Sequence, residues 1–525
     1  MGPAQSLAPG AALLEGGRFH EALAFFREAL QREPGSVAAR LAMAQACAGT
    51  GDALTAAAWL GDACRLAPHD PQPWQLLGEL QLGRQLYLQA LPAYAHLYGA
   101  LGQRDRATLL HYGFCLEHAG ALHECVQRYR EAVALEPEFF EAHVDLAGVL
   151  WRIGDFEGAL AHARQAEALQ PAHPYAVRIT GTALLNLNRL DEAEAQLRRA
   201  LNLKPGFDLA ELDLAFTLLL AGKLAEGWRW YATRWKDTQR LQRPAFFNPA
   251  FEWRGPREQP LAGRRVAVYA EQGLGDVLQF LRYVPLLQQQ GATVSCVVQP
   301  ELAPLIEHSL AGVQCLGPQQ RLEVDSHVAL LELPLHLGTT MDSIPAAVPY
   351  LRARADTVAQ WRERLAPWNG KCKVGIAWSG FQGQVNNHNR AIALSAWLPL
   401  LQMEGVQCFS LQKADAGPYS DIALPAGQLP DFTGDWQDFN DSAAMLEALD
   451  LVITVDTAIA HLAGALGRPT WLLLAPNADW RWLLEREDSP WYPTLRLFRR
   501  GFGEDRAQQM ARAVQALRQL AQPAD

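Results

Sequence analysis

A proline recurs at positions 34, 68, 137, 171 and 205, a spacing of 34 residues broken by one interval of 69. Five positions before each stands an alanine (Ala29, Ala63, Ala132, Ala166, Ala200). Seven before that stands another small residue (Ala22, Ala56, Cys125, Ala159, Ala193). A bulky side chain often lies between them, as at Phe26, Leu60, Tyr129 and Leu197, while Trp74, Leu77, Gly78, Ala90 and Tyr94 supply the copy hidden in the long interval. A fixed period of this length means one supersecondary unit stacked on itself. Small residues let helices approach closely, bulky ones fill the gap, and proline ends the second helix of each unit.

This spacing resembles the tetratricopeptide repeat, two antiparallel helices per unit, over residues 11–235 in six to seven copies. The last, incomplete unit, around Leu209 to Trp235, ends in EGWRWYATRW, whose aromatics are expected to form a capping and docking edge. Stacked repeats of this kind generate an extended concave surface, and a polypeptide is the partner it implies.

Residues 236–260 fall in a proline-rich, irregular stretch that reads as a linker. Beyond it strands alternate with helices, and the expected strands are Val266 to Ala270, Thr293 to Val298 and Val328 to Leu333. A helix from Thr357 to Leu365 and a break at Pro367-Trp368-Asn369-Gly370 follow. A second series runs Lys373 to Trp378, Val406 to Leu411, Leu451 to Val455, Thr470 to Leu474 and Leu495 to Phe498, closed by a helix from Arg506 to Leu520. Two such series imply two Rossmann-like lobes, 261–368 and 371–525, with a cleft between them.

Within the second series, LDLVITVDTAIAHLAGALGRPTWLLL (Leu449 to Leu474) reads as a strand, tight turn, helix and strand of a parallel unit buried on both faces. Asp456 and Thr457 sit where the strand ends and the helix begins, the edge at which open parallel sheets bind ligands. The first series opens with VAVYAEQGLGDVLQFLRYVPLL. Gly273 and Gly275 let backbone approach a ligand, but Leu278 stands where a dinucleotide fingerprint needs its third glycine, which disfavours dehydrogenase chemistry. Asp276 has two readings. It caps the helix, worth roughly 0.5–2 kcal/mol, or it faces the cleft and takes a proton from an acceptor hydroxyl.

Four ordered motifs, EQGLGDVLQFLRYVPLL, VGIAWSG followed by NNHNRAIAL, CFSLQK, and the Leu449 to Leu474 stretch, resemble the heptosyltransferase-like glycosyltransferases of the GT-B fold. Joined to tetratricopeptide repeats, they look like bacterial relatives of protein O-linked N-acetylglucosamine transferase and of flagellin glycosyltransferases. The resemblance implies Asp276 as general base. It places Gly273, Gly275, Ser379, Arg390, Gln412, Lys413, Asp456, Thr457, Ala458 and His461 on the donor site. The resemblance implies a nucleotide-sugar co-substrate with no metal or other cofactor; a helix N-terminus at Thr457 and Ala458 suits its diphosphate leaving group, and Arg390 and Lys413 add positive charge. The family inverts the anomeric centre by direct displacement. Asp456 fits capping or a hydroxyl contact better than acid–base work beside a phosphate. His461 is either a satisfied structural histidine or a phosphate ligand, and Lys413 and Arg390 are either ligand groups or solvated charges. Trp480, Trp482, Trp491 and Tyr492 read as packing, and Asn386, Asn387 and His388 as residues ordering a donor-side loop. Ala391 and Ala393 depart from the commoner family pattern, in which Ser and Pro are expected.

A net charge of −10 argues against nucleic acid as the main partner. The eight scattered cysteines read as reduced core residues. With neither a signal peptide nor a membrane span read from the sequence, a cytoplasmic protein is expected, with homo-oligomerisation open. The leading function is an inverting glycosyltransferase acting on Ser or Thr of a protein held by the repeats. The rivals are a repeat scaffold with an inactive module, and a transferase for saccharide or lipid-linked acceptors.

Overall fold

The computed structural model describes residues 3–238, 241–317, 320, 323–384, 386–413 and 415–521. The expected segments 236–260, 261–368 and 371–525 each include a few residues outside that set. The chain divides into two compact units, Met1–Ile179 and Thr180–Asp525.

The first unit is a tetratricopeptide solenoid of antiparallel helix pairs. Its helices include Phe19–Arg32, Val37–Gly49, Ala53–Leu66, Pro71–Gly83, Tyr87–Gly99, Arg106–His118, Leu122–Leu135, Phe140–Arg152 and Phe156–Leu169. The period is explained by packing. Ala22, Ala56, Cys125 and Ala159 are almost wholly buried where neighbouring helices close on one another. A methyl group on Gly78 would lie 2.8 Å from the Tyr94 ring, and one on Gly113 would run into Tyr129, so a bare backbone on one helix admits the aromatic of the next. The copy without its proline is present as Pro71–Gly83 and Tyr87–Gly99.

The second unit contains the last repeat helices, Leu190–Leu203, Asp208–Leu220 and Leu224–Tyr231, and two wholly parallel sheets. The first sheet comprises β1 (Arg265–Tyr269), β2 (Thr293–Val297), β3 (Gln314–Leu316) and β4 (Ser326–Ala329), in the order β3-β2-β1-β4. The second comprises β5 (Cys372–Ala377), β6 (Val406–Ser410), β7 (Leu451–Val455), β8 (Thr470–Leu474) and β9 (Leu495–Arg499), in the order β6-β5-β7-β8-β9. Strand order reverses beside β1 in the first sheet and between β5 and β7 in the second. Those are the points where open parallel sheets leave a crevice at their carboxyl ends.

Two strands differ from the sequence expectation. β3 is a three-residue edge strand with no apolar run to announce it. β4 begins at Ser326 rather than Val328 and ends at Ala329, because the apolar residues after it turn into a short helix, Leu333–His336, with Pro334 in its first turn. The proline-rich stretch is packed rather than loose. Trp253 is completely buried, its indole N–H donating to the Gln259 carbonyl at 2.9 Å. The helices of the last repeat share a core with the first sheet: Trp228 meets Phe280 and Trp480 edge-on, with ring centroids 6.2 and 5.3 Å apart. Among the described residues no helix is long and apolar enough to cross a membrane.

Candidate functional site

A cavity of about 840 Å³ opens at the carboxyl ends of β1, β5 and β7, and all eleven residues singled out from the sequence line it. Each owes its place to a local feature of the fold. Gly273 precedes the helix Leu274–Phe280, and the Asp276 carboxylate in the first turn accepts the Gly273 N–H through Oδ2 at 2.9 Å. The capping reading of Asp276 is thus realised. Its other oxygen, Oδ1, takes the guanidinium of Arg481, which follows β8 in the turn Trp480–Trp482.

Arg481 is the residue the sequence reading missed. Its side chain is 8% exposed, and besides Asp276 it binds Asp479 Oδ1 at 2.9 Å and Gln279 Oε1 at 2.6 Å. It also lies over the Trp480 ring, 4.2 Å from its centroid. Arginine joins the two sheets' loops here because a planar fork can satisfy several acceptors at once. The signal available was an arginine framed by tryptophans just after a strand, in a stretch read as packing. The packing is real: Trp480, Trp482, Trp491 and Tyr492 are all buried. Arg282 forms a second tie between the two sheet layers, donating to the Trp491 carbonyl at 2.6 Å and to the Tyr350 hydroxyl at 3.1 Å.

Burial pushes the Asp276 carboxyl above its ordinary range, Arg481 pulls it back, and Asp479 adds to the push. Asp456 is raised in the same way by burial and opposed chiefly by Arg390. His461 is held far below the usual histidine range by burial and by Arg481, Arg282 and Arg390, so it is neutral. Its Nδ1 lies 3.0 Å from the Tyr492 hydroxyl and its ring stacks on Trp482 at 5.3 Å, while Nε2 lies 4.0 Å from Asp456 Oδ1.

Gly275 shows why the two lobes meet so closely. A Cβ there would sit 2.9 Å from His461 Cδ2 and 3.5 Å from Ala458 Cα, so the first turn of one helix rests on the first turn of the other. Gly275→Ala is therefore expected to cost about 1–3 kcal/mol through overpacking, read as a lower urea midpoint. An unchanged midpoint would mean the helices move apart freely.

The helix Ala458–Ala465 begins at Thr457, whose extended backbone leaves its first amides without a side-chain cap. The Thr457 hydroxyl instead lies 3.2 Å from that of Thr454. Arg390 comes from the short helix Asn387–Arg390, and its Nε is buried without a partner; among the described residues its guanidinium makes no hydrogen bond or ion pair. Asn387 ties the neighbouring loop, accepting the Gly380 N–H at 3.1 Å and donating to Ser379 Oγ at 3.2 Å. Gln412 accepts the Trp378 and Ser379 amides through Oε1 at 3.1 and 3.0 Å, so this oxygen shapes the loop. Lys413 donates to the Trp436 carbonyl at 2.6 Å.

The remaining wall comes from the last repeat, through Leu212, Phe216 and Tyr231. Arg234 forms a buried pair with Glu271 at 2.8 Å, and the Tyr231 hydroxyl meets Gln272, which fixes the loop leading into Gly273. The aromatic stretch expected to cap the repeats thus packs against the loop that leads into Gly273.

Comparison with known proteins places tetratricopeptide models on residues 13–80, 126–174 and 145–207. Residues 437–493 match the glycosyltransferase family 9 (heptosyltransferase) model, a segment holding Asp456, Thr457, His461 and Arg481. Protein FlbA of Caulobacter vibrioides is 28% identical over 404 residues, covering 71% of this chain and 66% of its own. The chain thus spans just under two thirds of that relative's length. Among solved structures, YrrB, a TPR protein with an unusual peptide-binding site, is similar at 17% identity and a TM-score of 0.33, over 35% of this chain and 95% of its own. MamA from Desulfovibrio magneticus RS-1 is similar at 18% identity and a TM-score of 0.30, over 32% and 95%.

Proposed function

Because the chain joins tetratricopeptide repeats to a heptosyltransferase-like module, we propose that it is a glycosyltransferase of GT-B type. It moves a sugar from a nucleotide donor to a hydroxyl, that of Ser or Thr in a polypeptide held by the repeats. The observation that carries this reading is the pairing, in one cavity, of an unpartnered guanidinium at Arg390 and an uncapped helix N-terminus at Thr457 with the Asp276 carboxylate.

The chemistry follows from those three groups. The donor's phosphates lie against Arg390 and the Thr457–Ala458 turn, where full and partial positive charge stabilise the leaving group. Lys413 adds its remaining N–H donors, so no metal is needed. The acceptor oxygen attacks the anomeric carbon from the side opposite the phosphate and inverts it. The electron pair of the broken C–O bond stays with the phosphate oxygen, and the acceptor proton passes to Asp276, whose raised proton affinity favours that transfer. Arg481 aims the carboxylate while it waits.

A second reading has a specific observation behind it. Both oxygens of Asp276 already serve Gly273 and Arg481, as they would in a module that only binds nucleotide. Asp276→Asn tests the two, since its one amide oxygen still accepts the Gly273 N–H while the base and the Arg481 contact are lost. With a panel of nucleotide sugars, the variant is expected to bind nucleotide like the parent but to turn over about 10²–10⁴-fold more slowly. Equal turnover would remove Asp276 from the chemistry.

A further inference from the structure

The first unit has a cavity of its own, about 400 Å³, between the helices Pro71–Gly83, Tyr87–Gly99, Arg106–His118 and Phe140–Arg152. Its walls are aromatic: Tyr87 meets Phe114 edge-on at 5.1 Å, and Phe140 closes the far side. Into this apolar setting project two carboxylates one helical turn apart, Glu141 and Asp145. Glu141 has an ion partner in Arg106 at 3.3 Å, and the nearby Glu117 has one in Arg152 at 2.9 Å. Asp145 makes no hydrogen bond or ion pair among the described residues. The one imidazole in the lining, His111, is tied to the Tyr94 hydroxyl at 3.0 Å, and burial keeps it neutral.

Aromatic faces and an unneutralised carboxylate select the same thing. A ring's electron-rich face attracts a cation, and a recessed carboxylate gains most from a charge brought to it. We propose that this cavity receives an arginine or lysine side chain of the partner polypeptide, with an apolar neighbour on the same segment covering the aromatic rim. The inference rests on the reading that the repeats hold a polypeptide, and it adds what that polypeptide must display. Burial and the carboxylates of Glu117 and Glu141 hold Asp145 up at about 7, as expected of a site built for a positive guest and lacking one.

The test uses the full chain and degenerate heptapeptide pools, Ala-X-X-B-X-X-Ala, with B fixed as arginine, lysine, citrulline, glutamate or leucine. Retention on the immobilised protein is measured at pH 8. The arginine and lysine pools should be retained roughly five- to tenfold better than the citrulline pool, which keeps the shape and removes the charge. Asp145→Asn, which removes a poorly solvated charge at constant volume, should erase that preference. Retention of no pool, equal retention of arginine and citrulline, preference for leucine or glutamate alone, or a basic preference surviving in Asp145→Asn would each overturn the proposal. Nucleotide turnover, read separately, would be untouched by any of these outcomes.

Discussion

Replacing Arg481 by methionine is expected to lower the stability of the α/β unit by about 2–4 kcal/mol. The guanidinium is buried and joins Asp276, Asp479 and Gln279. Removing it leaves two carboxylates facing each other with no cation between them, and breaking a buried pair this way costs about 3–5 kcal/mol in well-enclosed sites. Asp479 is 36% exposed and Asp276 22%, so solvent relieves part of that cost and the lower end of the range applies. Chemical unfolding followed by tryptophan fluorescence should register it, since Trp480 and Trp482 flank the lost side chain. Adding Asp276→Asn to the methionine variant should restore part of the loss, because one orphaned charge is then gone. A change below about 1 kcal/mol would mean that water already screens this cluster and that Arg481 does not tie the lobes.

The second large effect concerns ligand affinity and leaves the fold alone. Arg390→Gln should weaken nucleotide binding about 10- to 100-fold, the worth of one or two hydrogen bonds to a charged group. The melting temperature should fall only modestly: no hydrogen bond or ion pair of the described residues depends on that guanidinium, but the change removes the charge that chiefly offsets the burial of Asp456. Lys413→Ala should weaken binding less, since the lysine is already shared with the Trp436 carbonyl. If the two variants lose affinity equally, Arg390 is not the principal phosphate ligand.

What the sequence made legible was written in local patterns. The solenoid could be read because its packing repeats in register, with small residues at Ala22, Ala56 and Ala159 wherever helices cross. The strands β5, β7 and β8 could be read because burial on both faces makes them continuous apolar runs. The short edge strand β3 could not. The start of β4 was hidden because Ser326 and His327 look like loop residues. They are buried, and His327 Nε2 meets the Asn248 backbone, 79 residues away. Distance along the chain also hid Arg481, whose partner Asp276 lies 205 residues earlier. For the same reason, nothing local marks the last repeat as part of the α/β core, a role set by Trp228 meeting Phe280 and Trp480 in space. His461 illustrates the reverse case. The motif left it as either a packed histidine or a phosphate ligand, and the structure packs its ring against Tyr492 and Trp482 while leaving it in the cavity lining.

The cavity at the carboxyl ends of β1, β5 and β7 is proposed as a nucleotide-sugar donor site built on Arg390 and the Thr457 turn. Titration calorimetry of the full chain with UDP, ADP, GDP, CMP and dTDP tests it most directly. At least one of these nucleotides should bind the parent protein and lose most of its affinity in Arg390→Gln. Binding of none of them, or binding left unchanged by that substitution, would contradict the assignment.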